Sequence, residues 1–249
     1  MVMVNTMAKK DRSVLVVGAG DAIGSAIVRK FAREGYQVVG VRRNGDKLES
    51  LVKEMADEGH SVHGWSCDAR REEAVEELFR RIEMEIAPLE VVIFNIGANV
   101  PMNILETTSR KFFKIWEMAC FSGFLTGREA AKYMMERGEG TIIFTGATAS
   151  VRGSAGFSAF AMAKHGLRAL AQSMARELGP KNIHVSHVII DAAVDTPWIR
   201  ENVLPGLDSR SPDDIVEPDT IADNYLHLHK QSRDGWTFEM DLRPWVEKW

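Results

Sequence analysis

The 249 residues include two cysteines, three tyrosines and no apolar run long enough to cross a membrane. Cys67 and Cys120 lie far apart with no C-x-x-C pair, which excludes a disulfide framework and a cysteine-based zinc cluster and suits a reducing compartment. The histidines offer only His184-x-x-His187 and His227-x-His229. The second spacing turns its rings to opposite sides of a helix, and the first has no acidic or cysteine partner nearby. No metal site is expected. A basic excess is also missing: 31 Lys and Arg stand against 35 Asp and Glu, for a net charge of −4. The pairs Arg42-Arg43, Arg70-Arg71 and Arg80-Arg81 are short and interleaved with acids, so neither nucleic acid nor a membrane is an expected partner. Residues 1–11 lack an apolar core and carry Lys9-Lys10. They are read as disordered rather than as a secretory signal, and the cytoplasm is the expected location.

What is present has the balance of an ordinary globular chain, 45% hydrophobic and 27% charged. Short β-branched runs alternate with longer amphipathic stretches. Strands are expected at 13–18, 37–41, 61–65, 91–94, 140–144 and 184–190. Helices are expected at 22–34, 46–58, 71–86, 110–118, 121–136 and 157–178. This alternation predicts an α/β fold in one domain over 1–249: a doubly wound, Rossmann-type parallel sheet of about seven strands with helices on both faces. Residues 191–218 break the pattern, with Asp, Pro and Ser around Trp198, Ile199, Val203 and Leu204. Such a segment reads as a substrate-side loop.

Between the first strand and the first helix stands Gly18-Ala19-Gly20-Asp21-Ala22-Ile23-Gly24. Glycines permit a tight bend there, and the helix N-terminus offers unpaired N–H groups to a pyrophosphate. A glycine-rich turn can also simply pack backbone. Its position between strand and helix favours a dinucleotide, held by Gly18, Gly20, Asp21, Ala22, Ile23 and Gly24. An acid about twenty residues past the glycines would bind the ribose 2′-hydroxyl of NAD. The sequence instead reads Gly40-Val41-Arg42-Arg43-Asn44. Arg42 and Arg43 suit a 2′-phosphate, so NADP(H) is expected over NAD(H), the alternative being surface arginines beside a turn.

Taken in order, the glycine turn, Asp68 after the third strand, Asn95 and Gly97 after the fourth, and Phe160-Ala161-Met162-Ala163-Lys164 on the last long helix resemble the short-chain dehydrogenase/reductases over nearly the whole chain. The resemblance implies that Asp68 and Ala69 lie near an adenine, that Asn95, Gly97 and Thr196 line the cofactor, and that Lys164 anchors the nicotinamide ribose. It also places the family's catalytic Tyr, Ser and Asn on Phe160, Ala147 and Ala119, with a variant Tyr position on Phe157. Phe160 has no O–H to protonate a nascent alkoxide. Thr148, Ser150, Ser154 and Ser158 have no base beside them in sequence. Asp191, at the end of the sixth strand, is a candidate replacement acid or else a turn-stabilising residue. Cys120 reads as a small buried hydrophobe.

Two readings follow. One is an NADP(H)-binding oxidoreductase with an atypical catalytic site and an unknown small-molecule substrate. The other is a catalytically inactive NADP(H)-binding protein with a sensing, regulatory or assembly role. A homodimer or homotetramer is expected, joined through 121–136 and 157–178. The tail 236–249, with Trp236, Phe238, Met240, Leu242, Trp245 and Trp249, is expected to pack on a partner.

Overall fold

Ser13–Val17 is buried throughout and forms the central strand β1. Its side chains alternate between two cores, Val14 and Val16 on one face, Leu15 and Val17 on the other. The computed structural model describes residues 11–202 and 214–247. The sheet is completed by β2 (Gln37–Arg42), β3 (Val62–Ser66), β4 (Leu89–Phe94), β5 (Gly140–Thr145), β6 (Ile183–Ile190) and β7 (Glu239–Leu242), all parallel, in the order β3-β2-β1-β4-β5-β6-β7. Val17 pairs with Val41 on one side and Phe94 on the other. The carboxyl ends of β1, β2 and β4 therefore finish level.

Helices α1 (Ile23–Arg33), α2 (Glu49–Asp57), α3 (Glu72–Glu85), α4 (Ser109–Trp116), α5 (Ser122–Arg137), α6 (Ser158–Leu178), α7 (Pro197–Asn202) and α8 (Pro218–His229) make the connections. Ile27 and Phe31 of α1, Met55 of α2 and Tyr225 of α8 share one core. Phe79 of α3, Leu125 of α5 and Leu167 of α6 share the other. This is the doubly wound architecture that the strand–helix alternation predicts, with most boundaries shifted by a residue or two. The segment expected to open α2 is instead a 3₁₀ turn, Gly45–Leu48, where Asn44 accepts the N–H of Asp46 at 3.1 Å. Between α4 and α5 the chain makes a π-helical turn over Glu117–Phe121.

Part of the apolar tail packs within its own chain. Trp236 stacks on His184 at 4.8 Å, and Phe238, Met240 and Leu242 pack against the two cores as β7 joins the sheet. These residues are half-buried by their own chain, and Trp245 remains 78% exposed. On α6, Phe160, Leu167 and Met174 are likewise buried within the chain, which leaves Met162 at the surface. Residues 1–10, the Trp198 side chain, Val203, Leu204 and Trp249 lie outside what the structure describes. Among the described residues no helix is long and apolar enough to cross a membrane.

Candidate cofactor and catalytic site

The connections from β1 and from β4 leave the sheet on opposite sides, so a crevice opens beyond the carboxyl ends of these strands. The glycine turn fills its base. Gly18 sits at φ +93°, and a Cβ there would stand 2.8 Å from the Asn95 carbonyl oxygen. At Gly24 a Cβ would come within 2.4 Å of the Gly18 oxygen, so only glycine lets α1 pack on the turn. Gly20 meets nothing within 4 Å and faces the open crevice. The Asn95 amide donates to the Gly18 carbonyl at 3.1 Å, tying β4 to the turn.

Beside the turn lies a cleft of about 540 Å³ lined by Gly18, Gly20, Arg42, Arg43, Lys47, Asp68, Ala69, Arg70, Asn95 and Gly97. Arg42 pairs with Asp21 at 2.7 Å, so part of its charge is met by a carboxylate. Arg43, equally at the end of β2, makes no ion pair among the described residues. Asp68 accepts a fork from the Arg70 guanidinium at 2.8 and 2.6 Å, which holds its carboxyl below the usual range. Lys47 and Arg70 add positive charge that the motif reading did not include. Their sequence signal was modest: Arg70 lies two residues past Asp68, and Lys47 follows the arginine pair. An open backbone cradle at Gly20 beside a cationic wall fits a phosphorylated dinucleotide.

A second chamber of about 390 Å³ shares Gly18, Gly20, Asn95, Ile96 and Gly97 with that cleft and runs on past Ala22, Ile23 and Gly24 to Ala147, Phe160, Lys164, Ile190 and Thr196. Lys164 is 2% exposed. Its Nζ donates to the carbonyl oxygens of Ile96 at 3.0 Å and Thr145 at 2.7 Å, at the ends of β4 and β5. Burial pulls its pKa down to about 7. Phe160 stands one helical turn before it and, with Ala147, presents hydrocarbon to the chamber. Ser150, expected nearby, instead accepts the Ala147 N–H at 3.1 Å. Thr196 lines the chamber and caps α7 by accepting the Ile199 N–H at 3.1 Å.

One expectation is corrected. Asp191 does not face Lys164. On β6 successive residues alternate sides, so Ile190 lines the inner chamber and Asp191 turns into a separate hollow with Thr148, Arg152, Glu239 and Arg243. There it accepts a hydrogen bond from Thr148 and pairs with Arg243 at 3.4 Å. Ala119 is fully buried with Ile115, Phe160 and Ala163. Its neighbour on the π turn, Cys120, lies close to Lys164. The thiol rests over Gly166 and interacts electrostatically with the ammonium; burial raises its pKa, and the lysine charge pulls it back.

Comparison with known proteins agrees with this fold. The pattern of the short chain dehydrogenase family matches residues 12–203. A short-chain dehydrogenase of Rhodopseudomonas palustris, solved by crystallography, is 50% identical, with a TM-score of 0.82, covering 94% of this chain and 99% of its own. A short-chain dehydrogenase/reductase of Armillaria gallica is 30% identical over 187 residues, 74% of this chain and 72% of its own. An alcohol dehydrogenase of the archaeon Thermococcus sibiricus, complexed with 5-hydroxy-NADP, is 25% identical, with a TM-score of 0.83, covering 95% of this chain and 98% of its own.

Proposed function

The chain belongs to the short chain dehydrogenase family, and on that premise we propose that it is an NADP(H)-dependent oxidoreductase with an atypical catalytic site. The observation that carries the cofactor choice is Arg43, open to the 540 Å³ cleft at the end of β2 with Arg42 beside it and no acid in Gly40-Val41-Arg42-Arg43-Asn44. A 2′-phosphate would meet both guanidiniums there. The complex of the T. sibiricus relative with an NADP derivative supports the same reading. Gly18, Gly20, Asp21, Ala22, Ile23 and Gly24 would hold the pyrophosphate, Asp68 and Ala69 the adenine side, and Asn95, Gly97, Lys164 and Thr196 the nicotinamide side. When bound, the cofactor would supply or accept hydride. This chain's residues orient it, exclude water with Phe160, Ala147 and Ile190, and hold a proton at Lys164.

Fluorescence titration tests the cofactor choice. NADPH binds more tightly than NADH in the parent, and Arg42→Ala/Arg43→Ala weakens NADPH by about 1–3 kcal/mol while leaving NADH nearly unchanged. Equal losses for both cofactors refute it. A second reading, a cofactor-binding protein without turnover, is favoured by Phe160 and Ala147, which leave the chamber without the hydroxyls of the family's Tyr and Ser positions. We take the protein to act as a homodimer or homotetramer, since Phe113, Phe124 and Met135 of α4 and α5 stay exposed.

A further inference from the structure

Hydride transfer to a neutral carbonyl separates charge: an alkoxide forms while the nicotinamide becomes a cation. A site of low polarity penalises that separation unless hydrogen-bond donors stand at the oxygen. The inner chamber is walled by hydrocarbon at Ile96, Ala147, Phe160, Ile190, Ala192 and Val194. The polar side chains that line it are engaged elsewhere. Asn95 donates to the Gly18 carbonyl at 3.1 Å. Thr145 Oγ1 is bonded to the buried Tyr225 hydroxyl at 2.7 Å. Thr196 accepts the Ile199 N–H at 3.1 Å, on the proposed nicotinamide side. Lys164 donates to the Ile96 and Thr145 carbonyls and, as proposed, holds the nicotinamide ribose. Among nearby hydroxyls, Thr148 bonds Asp191 in the separate hollow and Ser150 takes the Ala147 N–H. An alkoxide would face C–H groups of Phe160 and Ala147 instead of O–H.

We propose that the preferred hydride acceptor of this chamber is an iminium ion, a positively charged C=N group with apolar substituents, and that the product is an amine. The inference rests on the oxidoreductase reading of the crevice, with a dihydronicotinamide as the reductant. The iminium carbon gains hydride, a C–H bond forms, and the C=N π pair moves to nitrogen, which cancels its positive charge. The reductant is oxidised to the nicotinamide cation. Positive charge thus moves from substrate to nicotinamide; no anion develops and no proton is transferred in the step. Hydrocarbon walls that oppose an alkoxide leave such a charge shift nearly untouched. Phe160 adds a π system to the wall, and aromatic faces attract cations more strongly where water is excluded. Two described side chains at the chamber carry charge. Asp21, at the rim, is 85% exposed and paired with Arg42. Lys164 has its pKa pulled down to about 7 by burial, so above neutral pH the amine is mostly uncharged and repels an entering cation little.

The test uses the whole chain with NADPH and three bicyclic probes of similar size. N-methyl dihydroisoquinolinium is permanently charged, the unmethylated imine dihydroisoquinoline is charged only when protonated, and tetralone is the matching ketone. Rates are taken above the uncatalysed reaction of NADPH with each probe. The iminium is reduced about 10²-fold or more faster than the ketone. At alkaline pH the imine's rate falls about tenfold per pH unit beyond the imine's own pKa, while the iminium's rate holds level. A second readout needs no turnover. Calorimetry on the NADPH complex compares dimethyl tetrahydroisoquinolinium, a quaternary ammonium that cannot accept hydride, with its uncharged carbon isostere, dimethyl tetralin. Phe160→Leu, scored where it melts cooperatively, weakens the ammonium about threefold or more relative to the isostere. An equal loss for the two overturns the proposal. Parallel alkaline limbs for imine and iminium overturn it as well, because the proton would then come from the protein. A parent that reduces apolar ketones as fast as the iminium, or ketones and neither nitrogen probe, overturns this proposal alone. A parent that binds NADPH and reduces neither class overturns the oxidoreductase reading along with it.

Discussion

Replacing Phe160 by Tyr and Ala147 by Ser asks whether the chamber still holds a carbonyl. Both positions line the space into which Lys164 projects, and Phe160 lies on the same helix face four residues before the lysine. Adding O–H to a ring that is 7% exposed puts a phenol in a nearly dry site. The neighbouring Lys164 ammonium, in its charged form, lowers the phenol pKa toward the working range. One positioned general acid contributes about 10²–10⁴ in rate. The double variant is therefore expected to reduce simple ketones at least about 10²-fold faster than the parent, and each single change to do less, because groups acting as a unit are non-additive. The assay is NADPH oxidation at saturating cofactor, with NADPH affinity measured separately. Unchanged affinity without any gain in rate refutes the reasoning, because the missing hydroxyls would then not be what limits this chamber.

Lys164 also leaves a mark on stability. Its pKa is about 7 when folded, against an ordinary 10.5. Between those values the unfolded chain binds the extra proton, so the parent gains stability as pH rises through the window, and burying the charged amine costs most below pH 7. The difference in Tm between Lys164→Met and the parent should thus shift in the parent's favour from pH 7 to pH 10; a constant difference contradicts the burial argument. Gly24→Ala places a Cβ 2.4 Å from the Gly18 oxygen, so unfolding titrations should show a loss of about 1–3 kcal/mol, with weakened NADPH binding; wild-type stability would mean that α1 shifts freely on the turn. Sedimentation at micromolar concentration should show a dimer or tetramer, and a monomer contradicts the assembly reading.

The elements most legible in the sequence were those with a strong period. The SVLVV run of β1 and the glycine turn after it are read from residues alone, since a strand buried on both faces must be apolar throughout. β7 was not located because four residues with Glu239 and Asp241 among them, half-buried at the sheet edge, carry little pattern. α8 escaped for a related reason: its buried Ile221, Tyr225 and Leu228 are diluted by Asp, Asn and His. The cationic wall of the cleft was legible because Arg42 and Arg43 are adjacent in sequence. The inner chamber was legible only in part. The four-residue spacing of Phe160 and Lys164 survives on a regular helix. The π turn at Glu117–Phe121 has no spacing signature, and it carries Cys120, whose charge interaction with the lysine no motif reads. For Asp191 the error was one of side: the strand alternation that puts Ile190 in the chamber takes Asp191 out of it.

The most direct test of the oxidoreductase reading is to follow hydride itself. The parent protein is incubated with NADPH carrying deuterium at C4 of the dihydronicotinamide, together with a panel of apolar aldehydes and ketones, and the products are read by mass spectrometry. The account predicts an alcohol with deuterium on its carbinol carbon, formed slowly, and faster in Phe160→Tyr/Ala147→Ser. A protein that binds NADPH tightly yet moves no deuterium to any member of the panel contradicts it and leaves a cofactor-binding protein that does no hydride transfer.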